Sequence, residues 1–228
     1  MGDYIRRNFE ALTAEIEELS AKVGRGPVRL VAVTKSGSDE ELLRLAECGA
    51  ADIGENRPQE LVRRGALLAE AGYSPRLHEI GNLQKNKVRH IIGSVAMIHS
   101  LNSLSLAEEI ARRAEAAGRR VPVLIEVNSA REEAKSGAMP EEVEELFLAA
   151  RSMPQLIVSG LMTMGPVSED REGMRPYFRL TRELFDYLNE KYGFEGEPTL
   201  SMGMSDSYKV AIEEGATLVR VGSKLFYN

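Results

Sequence analysis

Short apolar runs rich in β-branched residues recur along the chain and alternate with longer amphipathic segments. Eight of these runs have the length and composition of buried strands: RLVAVT (29–34), ADIGE (51–55), RLHEIG (76–81), VAMIHSL (95–101), VPVLIEVN (121–128), QLIVSGLM (155–162), PTLSMG (198–203) and TLVRVG (217–222). In the segments between them, apolar residues recur at helical spacing, as do Val143, Leu146, Phe147 and Ala150. The pattern therefore predicts eight strands that alternate with helices.

Strands that alternate with helices predict a parallel sheet, because parallel neighbours need a long crossover between them. Eight such units match the number that closes a (β/α)8 barrel, and they use the whole chain, so we predict one α/β domain over residues 1–228. Residues 1–24 are amphipathic and predict an additional helix before the first strand. An open doubly wound sheet is the alternative, although no strand is followed by a GxGxxG loop.

Local signals mark several helix ends. Ser38, with Glu41 three residues later, predicts a capping box at the start of the helix after the first strand. Gly49 stands where this helix should stop, and Gly118 stands where a later helix should stop.

Composition and charge narrow the classes of function. The formal net charge is −6, which gives little attraction for nucleic acid or for an anionic membrane surface. The N-terminal segment resembles neither a secretory signal nor a transit peptide, and no stretch is apolar enough to span a bilayer. The one cysteine, Cys48, fits a reducing compartment. We therefore predict a cytoplasmic protein and, since its helices are acidic and show no long apolar stripe, a monomer.

Lys35 directly follows the apolar run LVAVT, so it stands at the C-terminal end of the first predicted strand. In a barrel, ligands and catalytic groups collect at this end of the strands. A lysine held in a partly desolvated pocket forms an imine with an aldehyde, which a solvated lysine does poorly. For this residue taken alone, a solvated lysine at a strand end is the simpler interpretation.

Two segments rich in small residues, SMGMSDS and RVGSKLF, follow the seventh and eighth predicted strands. In barrel enzymes the corresponding loops often bind phosphate through backbone N–H groups and small hydroxyl side chains. Ser205, Gly222 and Ser223 suit this role. Ser205 could instead be only a helix cap.

Arg220 lies two residues before Gly222, so strand alternation should turn its side chain into the barrel. A buried arginine needs a partner. It could donate to a pyridine nitrogen of a ligand, or it could form a structural ion pair with Glu55 or Glu126.

Asn56 follows the second strand and could contact a ligand ring or cap the next helix. The histidines show no spacing typical of a metal site, so we predict none.

The ordered segments VAVTK, DIGENRPQE, HEIGNLQKNK, IHSLNS, VNSAREEAKSG, GLMTMGP, LSMGMSDS and VRVGSKLF resemble the pyridoxal phosphate homeostasis protein family. The resemblance runs from the first strand to the C-terminus, and so many segments in order make it very specific. It implies a barrel of the alanine racemase N-terminal-domain type, with pyridoxal 5′-phosphate bound covalently to Lys35. It also implies that Arg220 faces the pyridine nitrogen and that Ser205 contacts the phosphate. The other predicted cofactor contacts are Asn56, His78, Met202, Gly222 and Ser223.

Several positions depart from the pattern of the family. Arg57 replaces a common tyrosine, Glu79 stands in HEIGNLQ where HFIGPLQ is more usual, and Ile98 stands where tryptophan is frequent. None of them removes a predicted contact. Arg57 and Glu79 should bring charge to the mouth of the barrel.

The resemblance implies a non-catalytic protein that holds the cofactor and delivers it to apoenzymes. An amino-acid racemase is the alternative, but it needs a second base on the opposite face of the ring, and neither Tyr177 nor Tyr208 has an obvious claim to that role. A third possibility is an aldolase-like Lys35 that forms an imine with a sugar phosphate. Lys135, after the fifth strand, could act as a second amine or could simply be solvated.

Overall fold

The computed structural model describes residues 4–24, 26–132, 134–166 and 170–227. Its strands are β1 (Arg29–Val33), β2 (Asp52–Glu55), β3 (Arg76–Glu79), β4 (Met97–Leu101), β5 (Val121–Glu126), β6 (Leu156–Met162), β7 (Thr199–Ser201) and β8 (Leu218–Val221). Each strand pairs in parallel with the next, and β8 pairs with β1, so the sheet closes on itself. The predicted (β/α)8 barrel is confirmed, and the open sheet is excluded.

Helices connect the strands and cover the outside of the barrel. Those in the described ranges are α1 (Tyr4–Lys22), α2 (Asp39–Glu47), α3 (Pro58–Glu70), α4 (Lys85–Ile91), α5 (Leu104–Ala116), α6 (Val143–Arg151), α7 (Arg175–Tyr192), α8 (Tyr208–Glu213) and α9 (Ser223–Phe226). The predicted helix before the first strand is α1, although its first three predicted residues lie outside the described part of the chain. Within that part, none of the helices is both long and apolar enough to cross a membrane.

The predicted capping box is confirmed at the start of α2. The Ser38 hydroxyl accepts from the Glu41 N–H at 3.2 Å, and the Glu41 carboxylate accepts from the Ser38 N–H at 2.6 Å. Gly49 and Gly118 follow α2 and α5 with φ of +89° and +63°, left-handed conformations that favour glycine.

The apolar side chains form two layers of very different size. A large core lies between the barrel and its helices, whereas inside the barrel a small separate cluster consists of Met97, Leu124 and Met162. Several other buried side chains on the strands are polar, including Asp52 and Arg220. Because buried polar groups need hydrogen-bond partners, these residues must be connected to one another or to a ligand.

Candidate functional site

A cavity of about 340 Å³ opens at the C-terminal ends of β1 and β2. Its lining brings together two predicted cofactor residues, Lys35 and Asn56, and also includes Arg57. The side chain of Lys35 is exposed, unlike the partly desolvated lysine expected from the sequence. Asn56 does not cap α3, because Arg57 occupies the N-cap position.

The loop that carries Lys35 is held in place by Arg64 of α3. One guanidinium nitrogen of Arg64 donates to the carbonyl of Gly37 at 2.6 Å, and the other donates to the carbonyl of Thr34 and to the carboxylate of Glu55, the latter at 2.7 Å. Thr34 donates its own hydroxyl to Glu55. Lys35 therefore lies between two residues whose carbonyls bind one buried arginine.

Arg64 is not among the residues predicted from the sequence, although its position in α3 is informative. The buried face of α3 consists of Pro58, Leu61, Arg64 and Leu68, so a charged residue occupies a position of the apolar stripe. A charge at such a position needs a buried partner, which here is Glu55 of β2.

The loops after β7 and β8 meet at a second corner of the mouth. The Gly222 N–H donates to the hydroxyl of Ser205 at 3.2 Å, and Ser223 begins α9 beside them. The helix-cap interpretation of Ser205 is wrong, because α8 begins at Tyr208 with Ser207 in the N-cap position. Three predicted phosphate contacts therefore lie together.

Gly222 also connects this corner to the end of β1. A Cβ atom at Gly222 would lie 2.9 Å from the carbonyl oxygen of Val33, closer than side chains normally approach a backbone atom. A residue with a side chain would push the two loops apart. Glycine thus allows the corner to pack against the strand that leads to Lys35.

Arg220 is buried inside the barrel, as strand alternation predicted. Its guanidinium donates to the hydroxyl of Ser201 at 2.5 Å and to the carbonyl of Thr163 at 3.0 Å. Among the described residues Arg220 forms no ion pair with Glu55 or Glu126: Glu55 binds Arg64, and Glu126 acts on Arg220 only through its charge. Since a guanidinium has five N–H donors, some of them remain for a ligand.

Glu126 lies near Arg220 in a buried environment. Burial raises the pKa of Glu126 to about 7, although the charge of Arg220 acts in the opposite direction. Burial likewise lowers the pKa of Arg220 to about 10. The Oε2 atom of Glu126 has no hydrogen-bond partner among the described residues. This oxygen is therefore available for a hydrogen bond with a ligand.

Two residues that were predicted to contact the cofactor do not lie at the mouth of the barrel. Met202 is fully buried in the large apolar core, and His78 is buried inside the barrel, where it binds Asp52 and His99. The structure gives neither side chain access to a ligand at the mouth, so direct contact with the cofactor is not supported for them.

Glu79 does not bring charge to the mouth as the sequence suggested. Its side chain is fully buried, and burial raises its pKa to about 8, with the nearby charge of Glu55 acting in the same direction. One carboxyl oxygen accepts the Gly81 N–H at 3.1 Å, and the other has no partner among the residues that the structure describes. Arg57, by contrast, is exposed and lines the cavity.

We expect Glu79 to make stability depend on pH. Its pKa is about 8 in the folded protein against an ordinary value of 4.5, so between these values the folded chain binds more protons than the unfolded chain. The contribution of Glu79 to the free energy of unfolding should therefore fall as pH rises, by roughly 1.4 kcal/mol per pH unit. Glu79→Gln should remove this dependence, so that its stability relative to the wild type increases between about pH 5 and about pH 9 in urea unfolding.

Glu190→Gln is the matched control, because Glu190 is exposed on α7. This variant should differ from the wild type equally at the two pH values. If the difference between Glu79→Gln and the wild type were also independent of pH, Glu79 would not be a protonated group in the folded protein.

The closed parallel barrel, with a lysine at the end of β1 and a buried arginine in β8, defines a protein of the alanine racemase N-terminal-domain class. The model of that family, described as alanine racemase, N-terminal domain, matches residues 8–228. A pyridoxal phosphate homeostasis protein from Aquifex aeolicus (strain VF5) is 43% identical over 213 residues, which cover 92% of each chain. One from Helicobacter pylori (strain ATCC 700392 / 26695) is 37% identical over 229 residues, 99% of each chain. The chain belongs to the pyridoxal phosphate homeostasis protein family.

A solved structure agrees with this assignment. PipY of Synechococcus elongatus PCC7942, solved with pyridoxal phosphate bound, superposes with a TM-score of 0.85 at 27% sequence identity. The superposition covers 98% of this chain and 100% of PipY. The two proteins therefore share the same barrel over their whole compared length.

Proposed function

We propose that this protein binds pyridoxal 5′-phosphate at the mouth of the barrel, joins it covalently to Lys35 and delivers it to apoenzymes. The observation that carries the proposal is the packing of Gly222 against Val33, which sets the Ser205–Gly222 corner beside the strand that leads to Lys35. A lysine amine and an anion-binding corner on adjacent strands suit a small aldehyde that carries a phosphate. The naming of the relatives and the cofactor bound to PipY support the same ligand.

Each chemical group of this cofactor has a suitable residue at or below the mouth of the barrel. The cofactor supplies an aldehyde, which condenses reversibly with an amine as water leaves. Ser205, Gly222 and Ser223 would hold the phosphate, and Asn56 would contact the ring. Arg220 would donate one of its remaining N–H groups to the ring nitrogen. A permanently charged guanidinium at that position keeps the nitrogen unprotonated and weakens the ring as an electron sink, which favours storage over catalysis.

We propose a carrier without a catalytic reaction of its own. A racemase needs a second base facing the ring, and Tyr208 does not suit this role, because it is buried and donates its hydroxyl to Glu15 of α1. The carrier would act as a cytoplasmic monomer whose partners are apoenzymes that require the cofactor. An acidic surface, with a net charge of −6, is consistent with an absence of nucleic acid partners.

Direct transfer to an apoenzyme tests the delivery step. Protein loaded with pyridoxal phosphate and freed of excess cofactor should activate an aminotransferase apoenzyme even when a phosphatase destroys free cofactor. A transfer complex protects the cofactor from the phosphatase, whereas release into solution does not. Activation that falls to the level seen with free cofactor and phosphatase would contradict delivery, although it would leave cofactor binding intact.

A further inference from the structure

A continuous series of side-chain hydrogen bonds runs through the barrel interior and ends at Arg220. Arg220 donates to Ser201 at 2.5 Å, and Ser201 contacts Nδ1 of His99 at 3.0 Å. Nε2 of His99 lies 2.9 Å from Nδ1 of His78, and Nε2 of His78 lies 2.7 Å from a carboxylate oxygen of Asp52. We refer to Asp52, His78, His99 and Ser201 as the interior network.

The interior network connects the two ends of the barrel. Asp52 is the first residue of β2, at the end of the barrel opposite the mouth, and its second carboxylate oxygen accepts from the half-exposed Arg76 at 2.6 Å. All four members of the network are buried. A polar connection therefore extends from the floor of the barrel to the arginine assigned to the ring nitrogen.

The carboxylate of Asp52 and the neutral state of the two imidazoles fix the direction of the hydrogen bonds along the series. A carboxylate only accepts and a guanidinium only donates. Hydrogen bonds from His78 and Arg76 lower the pKa of Asp52 against the opposing effect of burial, and burial lowers the pKa of both histidines, so the carboxylate is charged and the imidazoles are neutral.

One arrangement of protons then satisfies the whole series. His78 donates from Nε2 to Asp52, and His99 donates from Nε2 to Nδ1 of His78. Ser201 donates its hydroxyl proton to Nδ1 of His99, which leaves its lone pairs for Arg220. Both imidazoles are thus expected in the Nε2–H tautomer.

The geometry of the interior network argues against two simpler explanations. A metal ion shared by the histidines would need space between the facing nitrogens, but these lie only 2.9 Å apart. Apolar side chains at the four positions of the network would fill the space without the cost of desolvating polar groups. The same interior does contain apolar side chains, Met97, Leu124 and Met162. The interior network thus uses polar side chains in a barrel interior that elsewhere holds an apolar cluster.

We propose that Asp52, His78, His99 and Ser201 are positioning residues that hold the guanidinium of Arg220 in the orientation needed to contact a heteroaromatic ring nitrogen. Asp52, at the end of the barrel opposite the mouth, determines which atom donates and which accepts in each hydrogen bond of the network. The identity of the ring rests on the proposed function, whereas the network itself is a property of the protein without cofactor.

Asp52→Asn tests the direction of the network with almost no change of shape. Arg76 would still donate to the side-chain oxygen, so the amide nitrogen would face His78 and donate to Nε2. His78 and then His99 would be forced into the opposite tautomer, and the hydroxyl oxygen of Ser201 would accept hydrogen bonds from both His99 and Arg220. The ¹⁵N chemical shifts of the imidazoles, measured without cofactor, should show Nε2–H in the wild type and Nδ1–H in the variant. Asp186→Asn, on exposed α7, should change neither ring.

Binding of pyridoxal phosphate provides the second measurement. Asp52→Asn and Ser201→Ala should each weaken binding by about tenfold or more and shift the absorption of the bound cofactor, because a hydrogen bond to a charged group is altered or lost. Ser201→Thr retains the hydroxyl and should bind as the wild type does. The pair of serine variants keeps the proposal testable if Asp52→Asn folds poorly.

The outcomes separate the two proposals. Wild-type tautomers other than Nε2–H, or wild-type affinity and absorption in both Asp52→Asn and Ser201→Ala, would overturn the positioning role. A wild-type protein that shows the expected tautomers but does not react with pyridoxal phosphate would contradict the proposed function instead.

Discussion

Lys35→Ala should abolish covalent attachment of pyridoxal phosphate while leaving the fold unchanged. The side chain of Lys35 is exposed in the turn after β1, so its removal creates no cavity in the core. Without the amine, no imine can form, and the visible absorption band of the bound cofactor should be absent. The wild type should show this band, lose it on borohydride reduction and yield one pyridoxylated peptide, which contains Lys35.

Lys135→Ala is the control for this experiment, because Lys135 is the other lysine placed near the mouth. Its amine donates to Glu132 at 2.8 Å and to the carbonyl of Gly165 at 3.3 Å, so it is engaged away from the Lys35 loop. The Lys135→Ala variant should retain the band. A band that persists in Lys35→Ala, with a reduced adduct on Lys135, would move the covalent site to the second amine.

Arg64→Met should destabilise the protein by about 3–5 kcal/mol, the usual effect of removing one partner from a buried ion pair. Only 7% of the Arg64 side chain and 2% of the Glu55 side chain are exposed, so the remaining carboxylate would be buried without its cation. Methionine keeps most of the length and apolar volume of the arginine stem. The loop from Thr34 to Gly37 would also lose its donors, and cofactor binding should weaken together with stability.

The neighbouring Arg63 provides a matched control on the same helix. Arg63 binds Asp39 and Glu60, but 46% of its side chain is exposed, and solvent screens such pairs. Arg63→Ala should therefore change the urea midpoint far less than Arg64→Met. Equal midpoints for Arg64→Met and the wild type would show that the pair with Glu55 is not needed to hold the loop.

The sequence predicted the barrel well because its strands are short apolar runs whose spacing is regular. The runs around β1, β5 and β6 agree closely with the observed strands, and the cap at Ser38 has the expected partners. The alternative role of Ser205 as a helix cap was wrong because this serine, although it has the chemistry of a cap, lies in the loop, where it accepts from Gly222. Local chemistry alone does not tell which of two nearby serines begins a helix.

Those residues of the candidate site whose positions follow from the ends and the alternation of the strands could be predicted. Lys35 and Asn56 follow β1 and β2, and strand alternation gave the interior position of Arg220. The interior network could not be predicted, because its four side chains come from four strands and meet that of Arg220, from a fifth strand, inside the barrel. Glu79 shows the same limit, since the sequence reveals its charge but not the face of the strand on which it lies.

The contact between Gly222 and Val33 also determines when the proposed binding site forms. Lys35 lies near the beginning of the chain and the phosphate corner near its end, so the two halves of the site meet only when β8 docks beside β1. Contacts between such distant segments form late, because closing a long loop costs conformational entropy. A nascent chain with seven strands would carry Lys35 without the Ser205–Gly222 corner. Under the proposed function, acquisition of the cofactor would therefore mark completed synthesis and barrel closure, and the absorbance of the bound cofactor would report on the last step of folding.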